Sequence, residues 1–197
     1  MKKSTKGFTL IELLAVIVIL GVLLAIAIPS VSKYINTAKK STFIINVKEY
    51  ADAAKKELNL IDTDKQLPVS TGEATVISFD ELRIALENGG KKSSYGAEFD
   101  SQYSYVMIVN DGTAEKPHYT YYVAAIDKKG YGIGTKSASA AVPHLIAYDS
   151  LTNENVVQIA SKKGITYTEA AVSDVLDQEG ALMTTSVTTA YGYSNGQ

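Results

Sequence analysis

The residue with the clearest chemical consequence is an acid in a greasy setting. Glu12 lies near the start of an apolar run, Phe8–Val31, in which 19 of 24 residues are hydrophobic and Leu13–Ile28 is interrupted only by Gly21. An ionised carboxylate in hydrocarbon costs a few kcal/mol on insertion scales and calls for a cation. The other candidates do not converge. Asp100, Asp111, Asp127 and Asp149 fall in turn-rich sequence and have the chemistry to ligate Ca²⁺, yet none stands in a D-x-D-x-D-G spacing. His118 and His144 are isolated from any H-E-x-x-H or triad-like context. Tyr103 and Tyr105 share one strand face and Tyr119 and Tyr121 another. Strand propensity at a sheet surface explains them better than a stacking or electron-conducting surface. The absence of Cys excludes disulfides, thiolate metal centres and a Cys nucleophile. No catalytic constellation, cofactor site or metal site emerges, and the chain is not expected to be an enzyme.

The element that positions Glu12 is a helix. A helical run over Phe8–Val31 rises about 1.5 Å per residue and reaches roughly the 30 Å of a bilayer core. Lys2, Lys3 and Lys6 precede it, which places the N-terminus on the cytoplasmic side, although Lys33, Lys39 and Lys40 beyond the run weaken that asymmetry. Pro29 lies inside the helical pattern, where it removes a hydrogen bond to Ala25 and costs roughly 3 kcal/mol in an ideal helix. Gly21 weakens the same stretch by about 1 kcal/mol relative to Ala. Helical patterning then continues to about Ile61. Val47, Ala51, Ala54, Leu58 and Ile61 form one apolar stripe, with Lys48, Asp52, Lys55, Lys56 and Glu57 on other faces. A cleavable secretory signal is the competing reading, with Ala25-Ile26-Ala27 as its processing site. Glu12, the length of the run and the continuing helix argue against it.

Lys6-Gly7-Phe8-Thr9-Leu10-Ile11-Glu12-Leu13-Leu14 resembles the class III leader of type IV prepilins and their pseudopilin relatives. The likeness runs through Gly21 and Pro29 and covers about the first 50 residues. It implies that a prepilin peptidase cuts between Gly7 and Phe8 and that Phe8 is N-methylated. It also implies that Glu12 pairs with the new Phe8 ammonium of a neighbouring subunit, setting axial register. Residues between Gly21 and Pro29 would unwind in the filament, or Pro29 would simply kink a continuous helix. Gly7 suits such a cut because it has no side chain to obstruct a protease. Several family members close their C-terminal region with a disulfide, which this chain, having no Cys, cannot form.

The resemblance implies an α+β, type IV pilin-like fold. Residues 1–7 are the cleaved leader. Residues 8–61 are the N-terminal helix, divided into a hydrophobic segment (8–31) and an amphipathic one (32–61). Residues 62–197 form a globular head exposed on the filament surface. The implied function is a structural subunit of a type IV pilus for adhesion, aggregation or twitching motility, with a pseudopilin of type II secretion or DNA uptake as the alternative. Its partners would be other copies of itself in a helical homopolymer, minor pilins, the prepilin peptidase, the inner-membrane assembly platform and the membrane before assembly. The implied location is a single-pass cell membrane first and an extracellular pilus afterwards. A formal net charge of −2 and scattered Lys pairs point to no nucleic-acid partner.

Within the head, Asp62–Thr75 reads as a loop. Ser78-Phe79-Asp80-Glu81 resembles a capping box opening a helix over Phe79–Asn88, stopped by Gly89-Gly90. Strands are expected at Tyr103–Val109, His118–Ile126 and Tyr131–Thr135, with a Lys128-Lys129-Gly130 turn, forming an antiparallel meander on the amphipathic half of the helix. Leu145–Tyr148 and Val156–Ala160 are candidate short strands. Thr168 would cap a helix through Leu176, ahead of a strand near Met183–Ala190.

Overall fold

The computed structural model describes residues 7–59, 65–82, 91–136, 141–143, 145–159 and 186–191. The chain divides into two compact units, residues 1–38 and 39–197. One helix, α1 (Leu10–Leu58), enters both.

The first unit holds the apolar part of α1, whose large side chains all stand open to the surroundings, from Leu10 at 82% to Val16 at 50%. That part of α1 is apolar and long enough to cross a membrane. Neither Gly21 nor Pro29 interrupts the helix. An added Cβ at Gly21 would meet nothing within 4 Å.

The second unit is α+β, as expected. The described part of the predicted stripe is buried: Val47, Ala51, Ala54 and Leu58, joined by Phe43, Ile44 and Tyr50. Ile61 lies outside the described residues. These side chains pack on one face of a five-stranded sheet built from β1 (Glu73–Ser78), β2 (Tyr105–Asn110), β3 (Tyr119–Ala124), β6 (Ile146–Ala147) and β8 (Ser186–Tyr191). The order is β6-β3-β2-β1-β8. Val106 and Ile108 face α1, whereas Tyr105, Met107 and Val109 join a second apolar cluster with Leu145 and Ile159. Both faces of β2 are therefore covered, and so the strand reads as a continuous apolar run rather than an alternating one.

Three expectations are corrected. Glu73–Ser78 is a strand near the centre of the sheet, although its first three residues fall in the expected loop. Its core Thr75-Val76-Ile77 is β-branched, and burial of both faces erases the period-2 signal. Phe79–Glu81 makes one 3₁₀ turn, and Leu82 is already extended (φ −82°, ψ 120°). Ser78 does cap this turn, accepting from Asp80 N at 3.5 Å. Packing limits it: the Phe79 ring stacks on Tyr50 with centroids 3.8 Å apart. The remainder of the expected helix, like the Thr168–Leu176 helix, lies outside the described residues.

The third correction concerns the meander, which ends at β3. Strand β4 (Tyr131–Lys136) crosses into a three-stranded sheet with β5 (Ala141–Pro143) and β7 (Val156–Gln158), in the order β5-β4-β7. The expected turn into β4 is present, with Gly130 at φ 88° donating to Asp127 O at 2.9 Å. Strand β8 pairs with β1 in parallel, with a register shift between Ala74 and Thr75. A parallel edge is compatible with the long stretch of chain between β7 and β8, because parallel pairing needs a long crossover.

Candidate functional site

The first helical residue is Leu10, which leaves Gly7, Phe8 and Thr9 outside the helix. Phe8 is 91% exposed. Thr9 stands at the N-cap and Glu12 at the third helical position, and they share three hydrogen bonds. Thr9 N and Thr9 Oγ1 each donate to Glu12 Oε2 at 2.8 Å. In return, Glu12 N donates to Thr9 Oγ1 at 3.3 Å. This is a capping box: two backbone donors at the helix start find acceptors, and the carboxylate sits at the positive end of the helix dipole. One Glu12 oxygen thus carries two donors from its own chain.

The capping role of Thr9 was available in the sequence as T-x-x-E. The hydrophobic burden on Glu12 draws attention away from its neighbour three residues upstream. The same spacing at Ser78–Glu81 predicts a longer helix than forms there.

Further along, Pro29 deprives Ala25 O of its usual donor, while Ser30 Oγ donates to Ile26 O at 3.3 Å. Between Leu10 and Val31 the helix spans about 33 Å at 1.5 Å per residue. Its lining is Leu, Ile, Val and Ala on every side, so no face is suited to water. Such a helix requires lipid or other apolar helices around it.

The remaining candidates occupy separate places. Asp127 is fully buried and accepts from Ser93 Oγ at 2.6 Å and from the amides of Lys129 and Tyr131 at 2.9 Å each. Its oxygens organise the β3–β4 turn. Asp111 lies on the β2–β3 connection, with His118 Nδ1 at 2.5 Å and Thr120 Oγ1 donating at 2.7 Å. Partial burial pushes the Asp111 carboxyl up, but the Thr120 and His118 hydrogen bonds outweigh it and hold the group below the usual carboxylate range. The Lys128 ammonium, 2.6 Å from Glu98, lowers the Glu98 carboxyl and is itself raised by it. Asp100 adds its charge to that of Glu98 at Lys128, and Asp149 stands in the 3₁₀ turn Tyr148–Ser150. Tyr105 is fully buried, which corrects its expected place at a sheet surface. His144 lies outside the described residues.

The N-terminal segment thus brings together a Gly7-Phe8 junction, a capped acid and a helix apolar and long enough to cross a membrane. Residues 2–28 match the prokaryotic N-terminal methylation motif, the class III leader of type IV pilins and pseudopilins. That match supports a type IV pilin- or pseudopilin-like protein, and the apolar helix and leader fit membrane anchoring before assembly. No solved structure matches the chain.

Proposed function

We propose that this chain is the structural subunit of a type IV pilus, processed at Gly7–Phe8 and polymerised through the apolar part of α1. The observation that carries the reading is the junction itself. A class III leader runs directly into a capped helix whose apolar surface is exposed all round and whose one acid, Glu12, stands four residues from the new N-terminus. Cleavage after Gly7 creates an ammonium on Phe8, which the prepilin peptidase system then methylates. It also removes Lys2, Lys3 and Lys6, leaving the mature chain three charges more negative.

In the polymer, Glu12 turns from its own Thr9 to the Phe8 ammonium of a neighbour. A charge pair in a low-dielectric core is favourable only when both members arrive together, so it rewards one axial register and penalises the others. Weakened helix at Gly21 and Pro29 lets the intervening residues unwind as helices crowd together. The partners in this reading are other copies of the chain, minor pilins, the peptidase and the inner-membrane assembly platform. The α+β unit faces outward for adhesion, aggregation or twitching. The role is structural and not enzymatic.

Shearing cells, collecting surface filaments and measuring the subunit by mass spectrometry tests the reading. The expected subunit begins at N-methylated Phe8. A chain starting at Ile28 would mean a secretory signal. A methyl-Phe8 chain confined to the envelope and absent from sheared filaments would mean a pseudopilin.

A further inference from the structure

We propose that Glu57, Lys65 and Tyr191 form a latch that sets how readily β8 opens, separately from the rest of the sheet. Glu57 lies in the last turn of α1, where the negative end of the helix dipole disfavours an acid. Lys65 Nζ stands 3.6 Å from Glu57 Oε1, and the two side chains are only 6% and 13% exposed. The same ammonium lies 5.6 Å from the ring centre of Tyr191, the last residue of β8. Next to Lys65, Gln66 N donates to the Tyr191 hydroxyl oxygen at 2.9 Å, and Gln66 O accepts from Thr75 Oγ1 of β1 at 2.8 Å.

Two of these contacts, Lys65 and Gln66 N with Tyr191, tie β8 to residues 65 and 66, which Glu57 and Thr75 in turn hold to α1 and β1. Among the described residues β8 is an edge strand, hydrogen-bonded to β1 alone, and the ladder is already irregular between Ala74 and Thr75. No cysteine exists to fasten it covalently. If β8 lifts away, Gln66 N loses the Tyr191 hydroxyl, and the Lys65 ammonium, 6% exposed with β8 in place, loses the Tyr191 π-face. A cation in that setting is sensitive to the loss of any partner. Opening of β8 is therefore coupled to residues 65 and 66. The latch contacts named here join β8 to residues 65 and 66, so protection of β2 and β3 should not follow them.

The test is amide hydrogen exchange on the full chain in detergent micelles, comparing the parent with Lys65→Met and Tyr191→Phe. The expected result is exchange over residues 186–191 faster by about 10-fold in Lys65→Met, and less so in Tyr191→Phe, which keeps the ring. Protection over residues 105–110 and 119–124 should stay unchanged. Unaltered exchange at 186–191 in both variants overturns the latch. So does an equal acceleration across β2 and β3, which would mean a loss of global stability. If Lys65→Met does not fold, the milder Tyr191→Phe decides by the same two readings.

Discussion

Thr9 and Glu12 close the first turn of α1 on each other: the threonine amide and hydroxyl both donate to Glu12 Oε2 at 2.8 Å. The acid implicated in assembly is thus also the residue that begins the helix in a single subunit. The proposed pairing with a neighbour's Phe8 ammonium would draw on the same carboxylate, and the cap and the pairing can be tested by removing Thr9 and Glu12 separately.

Replacing Glu12 with Val should leave membrane insertion intact, because it only makes the apolar run more apolar. It should abolish filament growth, because no carboxylate remains to meet the Phe8 ammonium. Thr9→Val keeps the carboxylate but removes the hydroxyl that accepts from Glu12 N and donates to Glu12 Oε2, destabilising the helix start by about 1 kcal/mol. Faster amide exchange over residues 10–13 in micelles should follow. Membrane fractionation with electron microscopy reads the first variant, and normal filaments from Glu12→Val would defeat the register argument.

Gly21 separates subunit from polymer in a second way. A Cβ at this position meets nothing within 4 Å. Ala is favoured over Gly in a helix by about 1 kcal/mol. Gly21→Ala should therefore raise the helical stability of the isolated subunit in micelles, as followed by circular dichroism. If the stretch from Gly21 to Pro29 unwinds on packing, the same variant should yield fewer or less extensible filaments under force. Filaments of normal yield and extensibility would remove Gly21 from the assembly account.

Asp127 shows how much of the α+β unit rests on one buried acid. Asp127→Ala would strip three donors of their acceptor: Ser93 Oγ and the amides of Lys129 and Tyr131. Ser93 Oγ is buried and costs about 1–3 kcal/mol when left unpaired, whereas the part-buried Lys129 and Tyr131 amides can turn to water. A loss of about 1–3 kcal/mol is expected from denaturant midpoints, with Asp127→Asn losing less because one amide oxygen still accepts. Equal losses for the two variants would show that charge, and not acceptor geometry, is what the turn requires.

What was legible in the sequence follows from how far each signal reaches. The helix was plain, because Val47, Ala51, Ala54 and Leu58 repeat at helical spacing and all four are buried. The strands β2 to β4 were legible from their aromatic and β-branched runs, and the turn before β4 from Lys128-Lys129-Gly130. Strand β1 was not, because a six-residue strand covered on both faces has no alternation to detect. The pairing of strands was also out of reach. Whether β4 continues the meander or leaves for β5 and β7 depends on long-range packing that no local pattern encodes. At the N-terminal segment, Gly7, Phe8 and Glu12 stood out because their context is chemically unusual. Thr9 did not, since a threonine before a helix is ordinary until its partner is identified as Glu12.

The aromatic core offers a prediction with a pH axis. Tyr50 is 2% exposed and stacked on Phe79. Burial, assisted by the nearby charges of Asp80 and Glu49, pushes its phenol from about 10 up to about 12. The folded protein therefore holds the proton more tightly than the unfolded chain does. This contribution is fully present below pH 10 and is lost as the pH rises toward 12, because the unfolded state ionises first. A shift of this size corresponds to something on the order of 2–3 kcal/mol. Unfolding midpoints measured between pH 9 and pH 12 (from about one pH unit below an unperturbed tyrosine to about two above it) should fall steeply in the parent. In Tyr50→Phe, which preserves the ring stack, the decline should be shallower, since Tyr95, Tyr121 and Tyr148, whose phenols are also raised, are less buried than Tyr50. An identical alkaline slope in the two proteins would locate the ionisation that drives unfolding elsewhere.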